Sequence, residues 1–125
     1  MEYIGKGYAY SSGVFDYNTA AENNIKNVRF KIGKVENKLP EILKNTKMDG
    51  IIFDPPRKGI DENTLKSIGK HGIERIVYIS CNPSTLARDV KILTDLGYRL
   101  EKLAAVDMFP QTHHIEAVAL LSKLK

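Results

Sequence analysis

With 125 residues, 42% of them hydrophobic and 27% charged, the chain has the size and balance of one globular domain built on a single core. No apolar run nears the ~20 residues that a membrane-spanning helix needs, no apolar secretory leader is visible, and the single cysteine, which excludes an internal disulfide, fits a reducing cytoplasm. The net charge of +4 admits a polyanion such as nucleic acid without requiring one, because the basic residues are scattered along the chain as on a solvated surface.

Residues 1–17 are rich in Gly, Tyr and Ser with weak periodicity and are left unassigned, as a strand or an irregular arm. From residue 18 onward, helical and strand patterns alternate. Asn18 to Asn24 reads as the end of a helix, and Val28, Phe30 and Ile32 mark a short strand by their alternation. Leu39 to Lys44 reads as a short helix that tolerates Pro40 in its first turn. Met48 to Asp54 contains Ile51-Ile52-Phe53, the continuous apolar run of a central parallel strand, and Pro55-Pro56 ends it. Glu62 to Lys70 is helical, with Leu65 and Ile68 one turn apart and Gly72 beyond its end. Ile73 to Ser80 is a second buried strand. Ser84 to Leu96 is a helix with Ser84 as its N-cap, Leu86, Val90, Leu93 and Leu96 on one face, and Gly97 closing it.

Tyr98 to Val106 and Glu116 to Lys123 are two closing strands without an intervening helix, so they are expected to pair antiparallel at an edge. The whole is an α/β fold: a mostly parallel sheet covered on both faces, with an antiparallel C-terminal edge.

Three segments carry chemistry, and all three should sit at strand ends on the sheet edge where open α/β folds bind ligands. Cys81 follows a buried strand and precedes a helix, whose N-terminus favours the thiolate form of a nearby thiol. Buried cysteines are more often plain small hydrophobes, but the flanking Ser80, Asn82 and Pro83 place this one at a turn. In Asp54-Pro55-Pro56-Arg57 a carboxylate ends a strand and two prolines make a rigid wall, suited to a flat ring and its N–H; a solvated strand-ending loop is the plainer alternative. Glu116, between Ile115 and Ala117, should be partly desolvated, as suits a general base, unless it is merely a polar residue of an edge strand. His113 and His114 with one cysteine do not supply a zinc-ligand spacing, so no metal is expected.

Asp54 to Gly59, Ser80 to Asp89 and Asp107 to Glu116, in this order, resemble the signature blocks of the RNA uracil-5-methyltransferases. The resemblance runs from about Asn18 to the C-terminus, and three long blocks in the family's order are specific. It implies an incomplete Rossmann-like methyltransferase fold, with residues 18–125 as the C-terminal part of a catalytic domain. It implies S-adenosyl-L-methionine as cofactor and RNA, either rRNA or tRNA, as partner in the cytoplasm. Carried over by position, Cys81 matches the nucleophile, Glu116 the general base and Asp54 the strand-end acid at the cofactor boundary. Pro55, Pro56, Arg57, Asn82 and Pro83 fall on the substrate side.

The family's glycine-rich cofactor loop is absent from this sequence, and Lys34 stands where an acidic or amide residue usually lies near the adenine. Without the family's central first strand, the strand at Ile51 would present an apolar edge. That predicts either a homodimer through this edge or its coverage by Met1 to Phe15. Two other functions compete: a non-catalytic remnant that binds RNA or a protein, and methylation of a nitrogen by an Asp-Pro-Pro site, which would leave Cys81 and Glu116 without a role.

Overall fold

Residues 7–10, 28–31, 35–107 and 115–124 are described by the computed structural model. The chain divides after Lys38 into two units. In the first, β1 (Gly7–Tyr10) and β2 (Val28–Lys31) pair in parallel, Gly7 opposite Val28. The strand expected around Phe30 is therefore present, and its partner comes from the segment the sequence left unassigned. The helix end expected at Asn18 to Asn24 lies outside the described residues.

Three helices and four strands follow: α1 (Val35–Asn45), β3 (Gly50–Phe53), α2 (Glu62–His71), β4 (Arg75–Ser80), α3 (Pro83–Asp95), β5 (Tyr98–Asp107) and β6 (Ile115–Lys123). Helix α1 starts a turn earlier than the sequence suggested, so Pro40 lies inside it. Burial outweighs the one backbone bond that proline removes: Leu39, Ile42 and Leu43, at helical spacing, are all buried. Helix α2 is capped by Asp61, whose carboxylate accepts the Asn63 N–H at 3.1 Å, and it closes on left-handed Gly72. Helix α3 is capped by Asn82, not by Ser84 as expected: the Asn82 side chain accepts the Ser84 N–H at 3.1 Å, and Pro83 takes the first helical position.

The four-stranded sheet has the order β3-β4-β6-β5. Strands β3 and β4 are parallel, and β6 runs antiparallel to both β4 and β5. The antiparallel pairing of the last two strands is as expected, but β6 slots inside and leaves β5 outermost. Composition explains the order. In β6, Ala117, Ala119 and Leu121 are buried on one face while Val118 and Leu120 are half-buried on the other. Strand β5 carries Arg99, Glu101 and Lys102, is exposed beyond Tyr98, and is bulged between Leu100 and Lys102, all of which suit an edge.

The steps from β3 to β4 and from β4 to β5 go the same way across the sheet. Right-handed crossovers then put α2 and α3 on one face. The core forms there, from Leu65, Ile68, Leu86 and Leu93 of the helices against Ile76, Tyr78, Ala119 and Leu121 of the sheet. On the opposite face Val77, Ile79, Val118 and Leu120 are half-buried. Among the described residues no helix is long and apolar enough to cross a membrane.

Tyr78 stands opposite Ala119 across the β4–β6 ladder, a large side chain accommodated by a small one. Ala119→Leu should therefore overpack this layer and cost about 1–3 kcal/mol. Leu103→Ala, at a position 60% exposed, should stay within about 0.5 kcal/mol of the parent. Urea unfolding of the two variants measures the difference.

Candidate functional site

All three chemistry-bearing segments meet at one end of the sheet. Asp54 directly follows β3 and Cys81 directly follows β4, both at the C-terminal ends of parallel strands. Strand β6 runs the other way, so its beginning lies at that same end. Its last pairing with β4 is Ala117 with Ser80; Glu116 precedes Ala117 in β6 and Cys81 follows Ser80 just past β4. Glu116 also pairs with Val106 of β5. Asp54 is exposed, while Cys81 and Glu116 are half-buried. Alternation puts Glu116 on the face of Val118 and Leu120. Of the third block only Asp107, Ile115 and Glu116 fall within the described residues, and His113 and His114 lie outside them. Among the described residues no cluster of three or more His, Cys, Asp or Glu could hold a metal.

The Cys81 turn is built by its neighbours. Ser80 Oγ accepts the Asn82 N–H at 3.0 Å and donates to the Asn82 carbonyl at 2.9 Å, closing the chain around the thiol. Asn82 then starts α3 at Pro83. The residues expected on the substrate side thus fall into two groups. Asn82 and Pro83 shape the helix start, while Pro55, half-buried, and exposed Pro56 and Arg57 form the loop beside Asp54.

That loop is clamped to α3. The Gly59 N–H closes a turn on the Pro56 carbonyl at 2.9 Å. The Arg57 carbonyl accepts from Asn82 Nδ2 at 3.0 Å and from Thr85 Oγ1 at 2.9 Å, and the Lys58 carbonyl accepts from Arg88 Nη2 at 2.8 Å. Asp89 completes the clamp: its Oδ2 accepts the Ile60 N–H at 2.8 Å and the Tyr78 hydroxyl at 2.6 Å, while its Oδ1 pairs with the Arg88 guanidinium at 2.9 Å. Burial, then the hydrogen bond to Asp89, pushes the Tyr78 phenol well above the usual tyrosine range, so it remains a donor.

Gly59, Thr85, Arg88 and Asp89 lie within the blocks named from the sequence, but neither they nor Tyr78 were given a role there. Their signal was there: Asn82, Thr85 and Asp89 recur at spacings of three and four, which puts three polar side chains on one helix face beside an apolar stripe.

Comparison with known proteins gives a consistent picture. The tRNA (uracil-5-)-methyltransferase family matches residues 17–124. An uncharacterized RNA methyltransferase of Fusobacterium nucleatum is 52% identical over 106 residues, covering 84% of this chain and 23% of its own length. One from Enterococcus faecalis is 48% identical over 107 residues, again 23% of its length. The chain thus spans about a quarter of the curated relatives it matches. Among solved structures, the Pyrococcus abyssi tRNA (uracil-54, C5)-methyltransferase in complex with S-adenosyl-L-homocysteine superimposes with a TM-score of 0.74 at 32% identity, covering 93% of this chain and 28% of that one. An rRNA methylase from Streptococcus thermophilus, at 16% identity and a TM-score of 0.66, shares the fold alone.

Gly59 has φ +80, and a Cβ there would stand 2.5 Å from Arg88 Nη2 and 2.6 Å from Asp89 Oδ2. Gly72 has φ +67 but open space around it. Gly59→Ala should cost more than Gly72→Ala, which carries only the left-handed backbone penalty of about 1–2 kcal/mol. Thermal unfolding of the two variants compares them directly.

Proposed function

Because this chain belongs to the tRNA (uracil-5-)-methyltransferase family, we propose that the sheet edge bearing Asp54, Cys81 and Glu116 is the uracil-methylating part of an RNA methyltransferase catalytic domain. The observation that carries the reading is the β4–β6 register. That register ends at Ser80 with Ala117, so the only thiol of the chain, one residue past β4, and the half-buried carboxylate of Glu116 both lie one residue beyond the last β4–β6 pair.

Uracil C5 is too weak a nucleophile to take a methyl group unaided. In this reading the Cys81 thiolate adds to C6, forming an S–C6 bond and sending the C5=C6 electron pair to C5 as an enolate. S-adenosyl-L-methionine, when bound, supplies the electrophilic methyl group on its sulfonium sulfur. That methyl carbon would pass to C5 as the sulfonium S–CH3 bond breaks, with S-adenosyl-L-homocysteine as the leaving group. Glu116 takes the C5 proton, the C5=C6 bond re-forms, and the electron pair of the S–C6 bond returns to Cys81 as thiolate.

The donor set fits the cofactor at one point. Asp54 is an exposed carboxylate at a parallel strand end, able to accept from an amine or hydroxyl group. The rigid Pro55-Pro56 segment and exposed Arg57 would line the pyrimidine and its phosphate, with Asn82 and Pro83 shaping the floor below. A uridine within folded RNA would be swung out of its stack to enter. The RNA partner, the single thiol and a cytoplasmic setting form one consistent picture. A homodimer through β3, an outer strand of the described four-stranded sheet, extends it. Light scattering should then give twice 14.1 kDa, and a monomer would remove that extension.

The test of the reading is covalent trapping. RNA carrying 5-fluorouridine has no C5 proton to lose, so with S-adenosyl-L-methionine it should leave a stable adduct on the protein, and Cys81→Ala should abolish it. With ordinary RNA, Glu116→Gln should lower turnover by about a hundredfold or more while a Cys81 adduct accumulates. Gel shift and intact mass measure both. An adduct that survives Cys81→Ala would overturn the assignment. No adduct with Cys81 intact, together with no calorimetric heat from S-adenosyl-L-homocysteine, would favour a domain that binds without catalysing.

A further inference from the structure

The geometry points to Asp89 as a positioning residue: its buried carboxylate ties the Asp54 to Ile60 loop to the strand that carries Cys81, fixing the spacing of the two chemical loops. The proposal rests on the uracil-methylation reading and assigns it a residue outside the reacting set.

Asp89 has no exposed surface. Burying a carboxylate is costly, and apolar replacements of buried ion pairs are often neutral or stabilising, so its stability contribution alone is a weak reason for its presence. Its partners supply a geometric one. They come from three separate pieces of chain: the Ile60 N–H from the loop after β3, the Tyr78 hydroxyl from β4, and the Arg88 guanidinium from α3. Tyr78 lies three residues before Cys81 on the same stretch of backbone. A single carboxylate therefore joins the strand that delivers the thiol to the loop that delivers Asp54.

The loop depends on such a tie. Pro55 and Pro56 have no N–H to donate, so the β3–β4 ladder, which ends at Phe53 and Tyr78, cannot hold it by continuing. Side chains of α3 hold it instead, at the carbonyls of Arg57 and Lys58 and at the amide of Ile60. Gly59 lets the carboxylate approach: a Cβ there would stand 2.6 Å from Asp89 Oδ2. The Tyr78 phenol, kept protonated by burial and by Asp89, is fixed as a donor in this joint.

Two variants of the 125-residue chain test the tie, Asp89→Asn and Tyr78→Phe. The second keeps the carboxylate and the ring volume, so it decides the matter if the first does not fold. Amide hydrogen exchange is read at Ile60, with Ile76 and Ala119 as sheet references, alongside the trapping rate on 5-fluorouridine RNA across RNA concentrations. Exchange at Ile60 should rise at least tenfold in Asp89→Asn and about threefold in Tyr78→Phe, with Ile76 and Ala119 unchanged. The saturating trapping rate should fall at least tenfold in Asp89→Asn while the half-saturating RNA concentration changes less than threefold. Unchanged exchange at Ile60, equal acceleration at all three amides, or trapping at the parental rate would each overturn the proposal. If the parent chain itself does not trap, the uracil reading fails, and the exchange pattern alone decides the tie.

Discussion

The direction of β6 is the constraint from which the candidate site follows. In a purely parallel sheet, the residues that begin a strand lie at the end opposite to those that finish one. Strand β6 enters reversed, between β4 and β5, so Glu116 at its start reaches the end where β3 and β4 terminate. Insertion in the interior rather than at the rim demands apolar side chains on both faces, which Ala117 to Leu121 supply. The small Ala119 opposite Tyr78 is what lets the strand close against β4 without displacing the helices.

A sheet edge alone would leave the connecting loops free. The helix that follows β4 takes over their placement with side chains rather than by extending the ladder. Its N-cap Asn82 and first-turn Thr85 hold the Arg57 carbonyl, and its second turn holds the Lys58 carbonyl and the Ile60 amide through Arg88 and Asp89. Most of the polar groups involved are themselves shared: Ser80, Asn82 and Asp89 each make two or more bonds. Shared bonds of this kind resist piecemeal loosening, because moving one partner leaves another unsatisfied. Proline supplies the complementary stiffness on the loop side, where Pro55 and Pro56 fix the backbone but offer no donors.

The other end of the strands is tied on the helix side of the sheet. On the helix side, Ile76, Tyr78, Ala119 and Leu121 are sealed in the core, and Tyr98, buried at the start of β5, donates to the Ile73 carbonyl to lock the strands' other end. Lys123 covers the Tyr98 ring at 5.0 Å and donates to the Gly69 carbonyl at 3.1 Å, adding a cation to the C-terminal turn of α2. These ties and the candidate site lie at opposite ends of β4.

Much of this was legible in the residues. Apolar runs at Ile51 and Ile76, the periodicity of Leu86 and Leu93, and the stops at Gly72 and Gly97 determined the order and type of the elements, because burial and backbone chirality act locally. The positions of Asp54 and Cys81 at strand ends followed from the prolines and polar residues behind them. Local signals misplaced the start of α1 and the cap of α3: tertiary burial of Leu39 drew the helix past a proline, and Asn82 met the first free amide before Ser84 could. Pattern alone could not tell that β6 would lie inside the sheet, nor that Asp89 would face a tyrosine and a distant loop. Both depend on which surfaces meet across the fold, and contacts between residues 11 and 29 positions apart are set by packing rather than by neighbours in the chain.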